Sequence, residues 1–522
     1  MRARVVAFPL TAALLSGCGT SGDFGGFSNG NRIVMGMSDN VVSTDPASGY
    51  DPGSWLVFNN VFQSLVSFQT GYSEPRPEAA KKCAFQTSRT VYKCTLRDNL
   101  KFSNGNDLTS KDVKFSFDRA IRIDDPSGPA PLLSTIANIT TPDAMTIIFY
   151  LKVPDMAFPS KIASGGGSIV DHRVYPADTL QESENVVGSG PYKLDSIDKS
   201  QAVFSVNEDY QGSARVKNSG ITIVFYRGDQ KSLASALQNG DIDFAYRGLA
   251  AQDISRVSDS GTAQEKGIEI VEGSSAEVQH LVFNMSDPVV GRIGVRKAIA
   301  YTINRYELTN DIYMGTASPL YSIIPTEILG HNTAFFDMYG DGPQPGKAKR
   351  ALLAEGLTEK VKVTLWSTPT RYGPSTDEEF EAIAKQLNDS GLFEASARSV
   401  PFGQYEKGIA AGEYGIYVKG WVPDYPDPDN FTQPFFGEGN VLRNGYKNSD
   451  ITDRILPKTA SEADRTDTRD DFANLQDQVA RDLPILPIWQ GKQYAVSHEN
   501  ISGLRLTLDA STVFRFWELG KA

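Results

Sequence analysis

Histidine and cysteine are scarce in this 522-residue chain, with four and three copies, and their scarcity removes several classes of function. His172, His280, His331 and His498 stand singly and none neighbours a cysteine, so no zinc-type ligand set can be written from the sequence. No Gly-x-Ser-x-Gly elbow, His-Glu-x-x-His, P-loop or dinucleotide fingerprint occurs, which leaves an enzyme reading without a motif. Positive charge is in deficit as well. With 51 Lys and Arg against 63 Asp and Glu, the net charge of -12 argues against nucleic acid or anionic lipid as a partner. That balance mildly favours cationic or zwitterionic ligands, and it equally serves solubility. Beyond the first residues no run approaches the ~20 apolar residues of a membrane span, and no short repeat is visible.

What is present begins at the N-terminus. Met1-Arg2-Ala3-Arg4 is a short cationic stretch, Val5 to Leu15 is mostly apolar, and Leu15-Ser16-Gly17-Cys18 closes it as a lipobox. The expectation is a signal peptide over 1–17, lipid on Cys18 and a flexible tether over 18–30, holding an exported body on the outer face of a membrane or in a periplasm. Cys83 and Cys94 then remain. They flank two strand-like arms around Gln86-Thr87-Ser88-Arg89, outside the reducing cytoplasm, which predicts a disulfide-stapled hairpin. Length suggests about three domains at ~150 residues each, and 40% hydrophobic residues supply a core.

The most informative stretch is Trp421-Val422-Pro423-Asp424-Tyr425-Pro426-Asp427-Pro428-Asp429-Asn430-Phe431. The residues before it, Tyr414 to Gly420, are rich in β-formers, while three prolines remove amide donors, so the strand must end near Trp421. An acidic loop at a strand's carboxyl end is where open α/β sheets bind ligands. Asp427 and Asp429 could suggest glycosidase chemistry, but two acids in one proline-locked loop do not flank a bond by default. A calcium loop would need a glycine where Asp429 stands and a glutamate where Phe435 stands. Elsewhere Thr109 and Asp112 form a capping-box entry to a helix with Val113, Phe117, Ala120 and Ile121 on one face. Asp229 to Asn239 reads as a helix with Gly240 at its end. A βαβ unit runs from Val361–Trp366, through a helix bearing Phe380, Ile383, Ala384 and Leu387, toward Ser399-Val400.

The acidic loop resembles the signature Gly-Trp-x-x-Asp-(Tyr/Asn)-x-(Asp/Glu)-Pro-x-x-Phe of family 5 extracellular solute-binding proteins, the oligopeptide- and dipeptide-binding components of ABC importers. A second stretch, Thr95 to Val113, is similar to another signature of that family and departs from it at Ser110, where alanine is usual. Gly188-Ser189-Gly190-Pro191-Tyr192, Leu237 to Asp243, Leu281 to Arg305 and Asp482 to Trp489 follow in the family's order, from Thr44-Asp45-Pro46 onward. The resemblance implies an α/β, periplasmic-binding-protein-like fold of two lobes and three domains with a hinge. The first lobe would comprise 31–61, 187–280 and 495–522, with an inserted domain over 62–186, and the second lobe 281–494.

By the same resemblance Asp424 binds the α-ammonium of a peptide, against the alternative of capping its own loop. Trp421 would be a wall for the peptide and Tyr425 a hydrogen-bond donor, each with lobe core as the alternative. Lys419 lies where a relative has an arginine for a ligand carboxylate, on the same strand face as Trp421, and Tyr405 stands near a cleft position. The implied partners are a peptide, permease subunits and, through them, ATPase subunits, with the chain a monomer needing no cofactor. Nickel chelates, haem, glutathione or oligosaccharides are rival ligands within the same fold, and peptide-signal reception is a rival role.

Overall fold

Two long antiparallel strands, Ile268–Phe283 and Ile485–His498, form the spine of the molecule. The computed structural model describes residues 31–181, 185–259, 267–369 and 371–522; the expected leader over 1–17, Cys18 and the tether over 18–30 lie outside them. One eleven-stranded mixed sheet runs through both lobes. On one side of the spine it continues through Phe244–Tyr246, Ile33–Met37, Gly220–Phe225, Gln201–Val206 and Tyr192–Ile197. On the other it continues through Ile416–Trp421, Val361–Ser367 and Phe393–Ser399, with the short strand Ala317–Pro319 pairing off the path. Val361–Ser367 lies parallel to Phe393–Ser399 across the helix Thr376–Asp389, the right-sized crossover for a βαβ unit. Phe380, Ile383, Ala384 and Leu387 are all buried from that helix, as their spacing predicts.

The hydrophobic residues separate into two large cores. One gathers side chains from Ile33 to Val271 and from Ala495 to Leu519, the other from Ala276 to Trp489. Each spine strand therefore changes lobe along its length, the first between Val271 and Ala276, a few residues before the 280/281 boundary expected from the sequence. Its pairing slips in register between Ser274 and Val278 and again between Gln279 and His280. Such bulges bend a strand locally; the first spans the changeover between the cores and the second lies just inside the second core.

A separate four-stranded sheet is carried by the first lobe, in the order Ala80–Phe85, Val91–Leu96, Thr146–Leu151, Ile136–Asp143. Cys83 and Cys94 face each other across its first hairpin and are joined by a disulfide. The helix Ser110–Ile123 packs on this sheet, and Thr109 and Asp112 form its capping box. Val113, Phe117 and Ala120 point inward, but Ile121 is 38% exposed: one position after Ala120 it has turned about 100° off the apolar stripe. Within this lobe Arg119 and Asp45, each 1% exposed, form a two-pronged pair at 2.7 and 2.6 Å. Asp45 also accepts from the amides of Ala47 and Gln181, so its buried charge is fully satisfied. The helix Gln230–Asn239 starts at Asp229, whose carboxylate accepts from the Ser232 amide, and stops at Gly240 with φ +78°, a conformation a side chain would oppose.

Candidate functional site

Strand Ile416–Trp421 ends at the tryptophan, and the chain turns through Pro423 into the acidic loop. Asn430 organises that loop. Its Oδ1 accepts from the Trp421 indole N–H at 2.9 Å and the Asp424 amide at 3.0 Å, while its Nδ2 donates to Asp424 Oδ2 at 2.9 Å. The other carboxylate oxygen, Oδ1, accepts from the Tyr50 hydroxyl at 2.6 Å. Tyr50 belongs to the first lobe, so this bond spans the two lobes. Asp424 is 8% exposed, and burial pushes its carboxyl up to about 6, against the opposing pull of Asn430, Tyr50 and Lys161.

The remainder of the loop also presses on the first lobe. The Tyr425 ring, 2% exposed, joins the first lobe's hydrophobic core, and Thr512 Oγ1 donates to the Pro423 carbonyl at 3.5 Å. Asp429 is 5% exposed and is raised to about 6, by burial first and by Asp427 and Asp155, against Lys161 and Arg465. Lys161, from the first lobe, bonds Asp155 at 2.8 Å; burial alone would lower its ammonium, but Asp155, Asp429 and Asp427 together raise it. Asp427 caps the turn at Pro428–Phe431 and receives two bonds from Arg465. The loop is thus a rigid acidic wedge seated in the interlobe surface, with Asp424 at its inner end.

A family model described as bacterial extracellular solute-binding proteins, family 5 Middle, matches residues 74–442. This chain belongs to that family. It is 26% identical over 513 residues to the probable D,D-dipeptide-binding periplasmic protein DdpA of Escherichia coli K12, covering 94% of both chains. It is 23% identical over 504 residues to the glutathione-binding protein GsiB of Salmonella paratyphi A, covering 92% of this chain and 93% of the relative. Among solved structures, the periplasmic binding protein DppA of Helicobacter pylori, in complex with peptide STSA, superposes with a TM-score of 0.78 at 22% identity, over 94% of this chain and 98% of that one. The fold is the two-lobed architecture of periplasmic binding proteins, and the family is one of substrate-binding transport proteins.

Around the family 5 loop the remaining sequence-predicted residues fall in different places. Trp421 is half-buried and meets Phe435 edge-on at 5.4 Å, with its indole N–H already used by Asn430. Lys419 bonds Glu406 at 3.2 Å and is lowered by burial, against the pull of Glu406, with Arg443 and Arg371 adding to the lowering. Tyr405 is fully buried: its hydroxyl donates to the Val418 carbonyl at 2.7 Å and its ring stacks on Tyr414, so it packs in the second lobe's core. Tyr425 is buried too, with its hydroxyl 3.4 Å from Asp429 Oδ2.

Five residues near the site had no clear sequence signal. Asn430 lies inside the signature but at one of its variable positions. Tyr50 is 374 residues from Asp424, and nothing local to it points to a partner. Glu406 and Arg371 lie near Lys419, and Arg443 is 3.8 Å from Glu406, so two cations, Lys419 and Arg443, share that carboxylate. Further along the first lobe's strand ends, Arg247 pairs with Asp39, and burial together with Asp39 raises the Glu277 carboxyl despite Arg247. Asp112, Asp171 and His172 are the one cluster of metal-ligand type among the described residues. Their oxygens and nitrogen are taken by the capping box, by Arg173 and by Asn104 and Asn106.

Proposed function

We propose that this chain captures peptides between its lobes and delivers them to the membrane permease of an ABC importer, without chemistry of its own. The observation that carries this reading is Asp424. It is a buried carboxylate at the lobe interface, with no cation bonded to it among the described residues, whose hydrogen bonds come only from the neutral groups of Asn430 and Tyr50. A desolvated acid of this kind matches a ligand ammonium, which Tyr50 yields to or joins when the lobes open and close. On the strand leading to that acid, Lys419, which shares Glu406 with Arg443 and has Arg371 near it, forms the opposite pole. An extended zwitterion reads both poles while its side chains remain free. The peptide-binding names of the relatives support the same substrate class.

In this reading Asp424 is the ammonium partner, Lys419 the carboxylate anchor and Trp421 the wall beside the peptide. Tyr425, seated in the first lobe's core, serves closure. Cys18 carries the lipid that holds a monomeric, extracytoplasmic protein at its membrane. The domain division is that given from the sequence, with the lobe changeover moved into the long strands. A second reading is favoured by the excess of cations about Glu406: glutathione has one ammonium and two carboxylates, and one relative binds it by name.

Calorimetry with free and N-acetylated peptides tests the assignment. Asp424→Ala should weaken free peptides by about 2–5 kcal/mol, roughly 30- to 4,000-fold, because the ammonium is left buried and unpaired. N-acetylated peptides should bind the variant no worse than the parent protein. Parental affinity of the variant for free peptides would remove Asp424 from the ligand site. Mass spectrometry of what leaves the unfolded protein separates peptide from glutathione.

A further inference from the structure

The carboxylate of Glu277 stands between the lobes without a partner. Glu277 lies in the long strand Ile268–Phe283 where the two cores change over, next to Ala276 of the second core. It falls in the bulge between Ser274 and Val278, out of the cross-strand ladder, and Val278 pairs with both Trp421 and Gln490. Glu277 is therefore one residue beyond the last rung shared with the strand that leads into the acidic loop. Bulges of this kind re-aim a side chain beside a site.

Glu277 is half-buried, no hydrogen bond or ion pair reaches its carboxylate among the described residues, and its oxygens are not among the unpartnered atoms closed off from solvent. From the first lobe Arg247, just past the strand Phe244–Tyr246, exerts its charge on Glu277, but that guanidinium bonds Asp39. Arg247 and Asp39 cancel, so the group of three keeps one negative charge, and it belongs to Glu277. Burial first and Asp39 second raise the Glu277 carboxyl despite Arg247. Lys492, one residue past Gly491, is held by Glu272 at 3.1 Å. On the second lobe's side a Cβ at Gly491 would come 3.7 Å from Glu277 and 3.5 Å from Trp489, so the missing side chain leaves space between the acid and the ring. Tyr313 lies against Trp489, with 4.9 Å between ring centroids, and its hydroxyl feels the Glu277 charge. One unbalanced acid thus stands beside an aromatic wall.

We propose that Glu277 gives the interlobe site a preference for peptides with a cationic side chain, whose ammonium or guanidinium it receives. This rests on the peptide reading above: Asp424 and Lys419 take the ends of the ligand, and Glu277 adds a contact that only some side chains can make. A cation gains a charge-assisted bond and supplies the counter-charge that a partly desolvated, unpaired acid lacks. An anionic side chain in the same place would meet like charge, and a neutral one would leave the acid as it is. The aliphatic stem of a lysine or arginine suits the wall of Trp489 and Tyr313.

Calorimetry in mildly alkaline buffer tests it, with alanine tripeptides carrying one lysine at the first, second or third position and with their norleucine counterparts. At least one lysine peptide should bind the parent about tenfold or more tighter than its norleucine counterpart, or ~1.4 kcal/mol. In Glu277→Gln that ratio should fall below about twofold. A merely structural fault would weaken both members of the pair alike and leave the ratio where it was. Asp39→Asn is the second variant: it releases Arg247, which then neutralises Glu277, and it too should lower the ratio. Asp424→Ala should weaken both members and keep the ratio. Norleucine peptides that bind the parent as tightly as every lysine counterpart overturn this inference and leave peptide capture standing. A ratio kept in Glu277→Gln and in Asp39→Asn places the cation elsewhere and also overturns it. Absence of binding by all six peptides overturns peptide capture, and this inference with it.

Discussion

Asp424 is a carboxylate held in reserve: burial favours its protonated form, and a ligand ammonium would favour its charged form. The signs follow from its raised position at about 6, against an ordinary 3.8. In the ligand-free protein the neutral acid is the more comfortable one, so its contribution to stability is complete below about pH 4 and is lost as pH rises through 6. Under the proposed ammonium role, ligand binding runs the other way. Above pH 6 the acid is already ionised and affinity for a free peptide should be level; below pH 6 ionisation must accompany binding, and affinity should fall about tenfold by pH 5. Calorimetry from pH 4.5 to 8 in buffers of different ionisation heat reads both the slope and the proton released. A flat profile would mean that Asp424 keeps its proton state when ligand binds. Asp429, also raised to about 6, shares the loop, so the profile of Asp424→Asn is needed to separate the two.

At the scale of elements, the helix Thr376–Asp389 is fastened to the spine by one side chain. Glu379 is fully buried, and its Oε2 accepts from Gln279 on one long strand, from Trp489 on the other at 3.3 Å, and from Tyr313 at 2.7 Å. Burial raises this carboxyl to about 7 despite those three donors. Its other oxygen and Gln279 Oε1 are without partners. Glu379→Gln keeps an acceptor for the three donors and removes the ionisation. We expect the parent's melting temperature to fall between pH 5 and pH 8 and the variant's to fall less, by an amount corresponding to at most ~3 kcal/mol. Equal pH dependence in the two proteins would show that Glu379 does not ionise in the fold. Much at this scale was readable beforehand. The hairpin of Cys83 and Cys94, the capping box at Thr109, the end of the helix at Gly240 and the end of the strand at Trp421 are local chemistry, and each is found where the residues put it. Ile121 lies outside the buried face, because hydrophobicity alone does not say where an apolar stripe stops.

At the scale of the molecule, the lobes meet at the acidic loop and at one further patch. Tyr50 reaches Asp424, the Tyr425 ring enters the first lobe's core, Thr512 Oγ1 meets the Pro423 carbonyl, the Met156 amide donates to the Ala460 carbonyl at 2.9 Å, and Arg89 meets Ser461 and Glu462. Two continuous strands join the lobes, so opening would give up these bonds and withdraw the Tyr425 ring from the first lobe's core, with the register breaks of the spine as the place for it to bend. Tyr50→Phe removes one bond to a buried carboxyl, about 1.5 kcal/mol or some tenfold in the closed-to-open ratio. In small-angle scattering the ligand-free variant should therefore be more expanded than the parent, and saturating peptide should bring the two together. An unchanged radius in the ligand-free state would assign closure to the Tyr425 and Lys161 contacts instead.

The sequence by itself determined the family signature, the acid at its centre, several local strands, helices and turns and the absence of the familiar enzyme motifs, because these depend on residues close together in the chain. Tertiary structure alone decided what that acid meets. Tyr50 comes to Asp424 across 374 residues, Arg371 and Glu406 gather around Lys419, and Tyr425 enters the opposite lobe's core. It also decided that Tyr405 is packing material, since a tyrosine in a signature neighbourhood reads the same whether its ring faces solvent or a carbonyl beneath the sheet. The physical reason is one of range. Propensity, capping and proline act over a few residues, whereas burial and charge pairing are set by which distant segments the fold brings into contact.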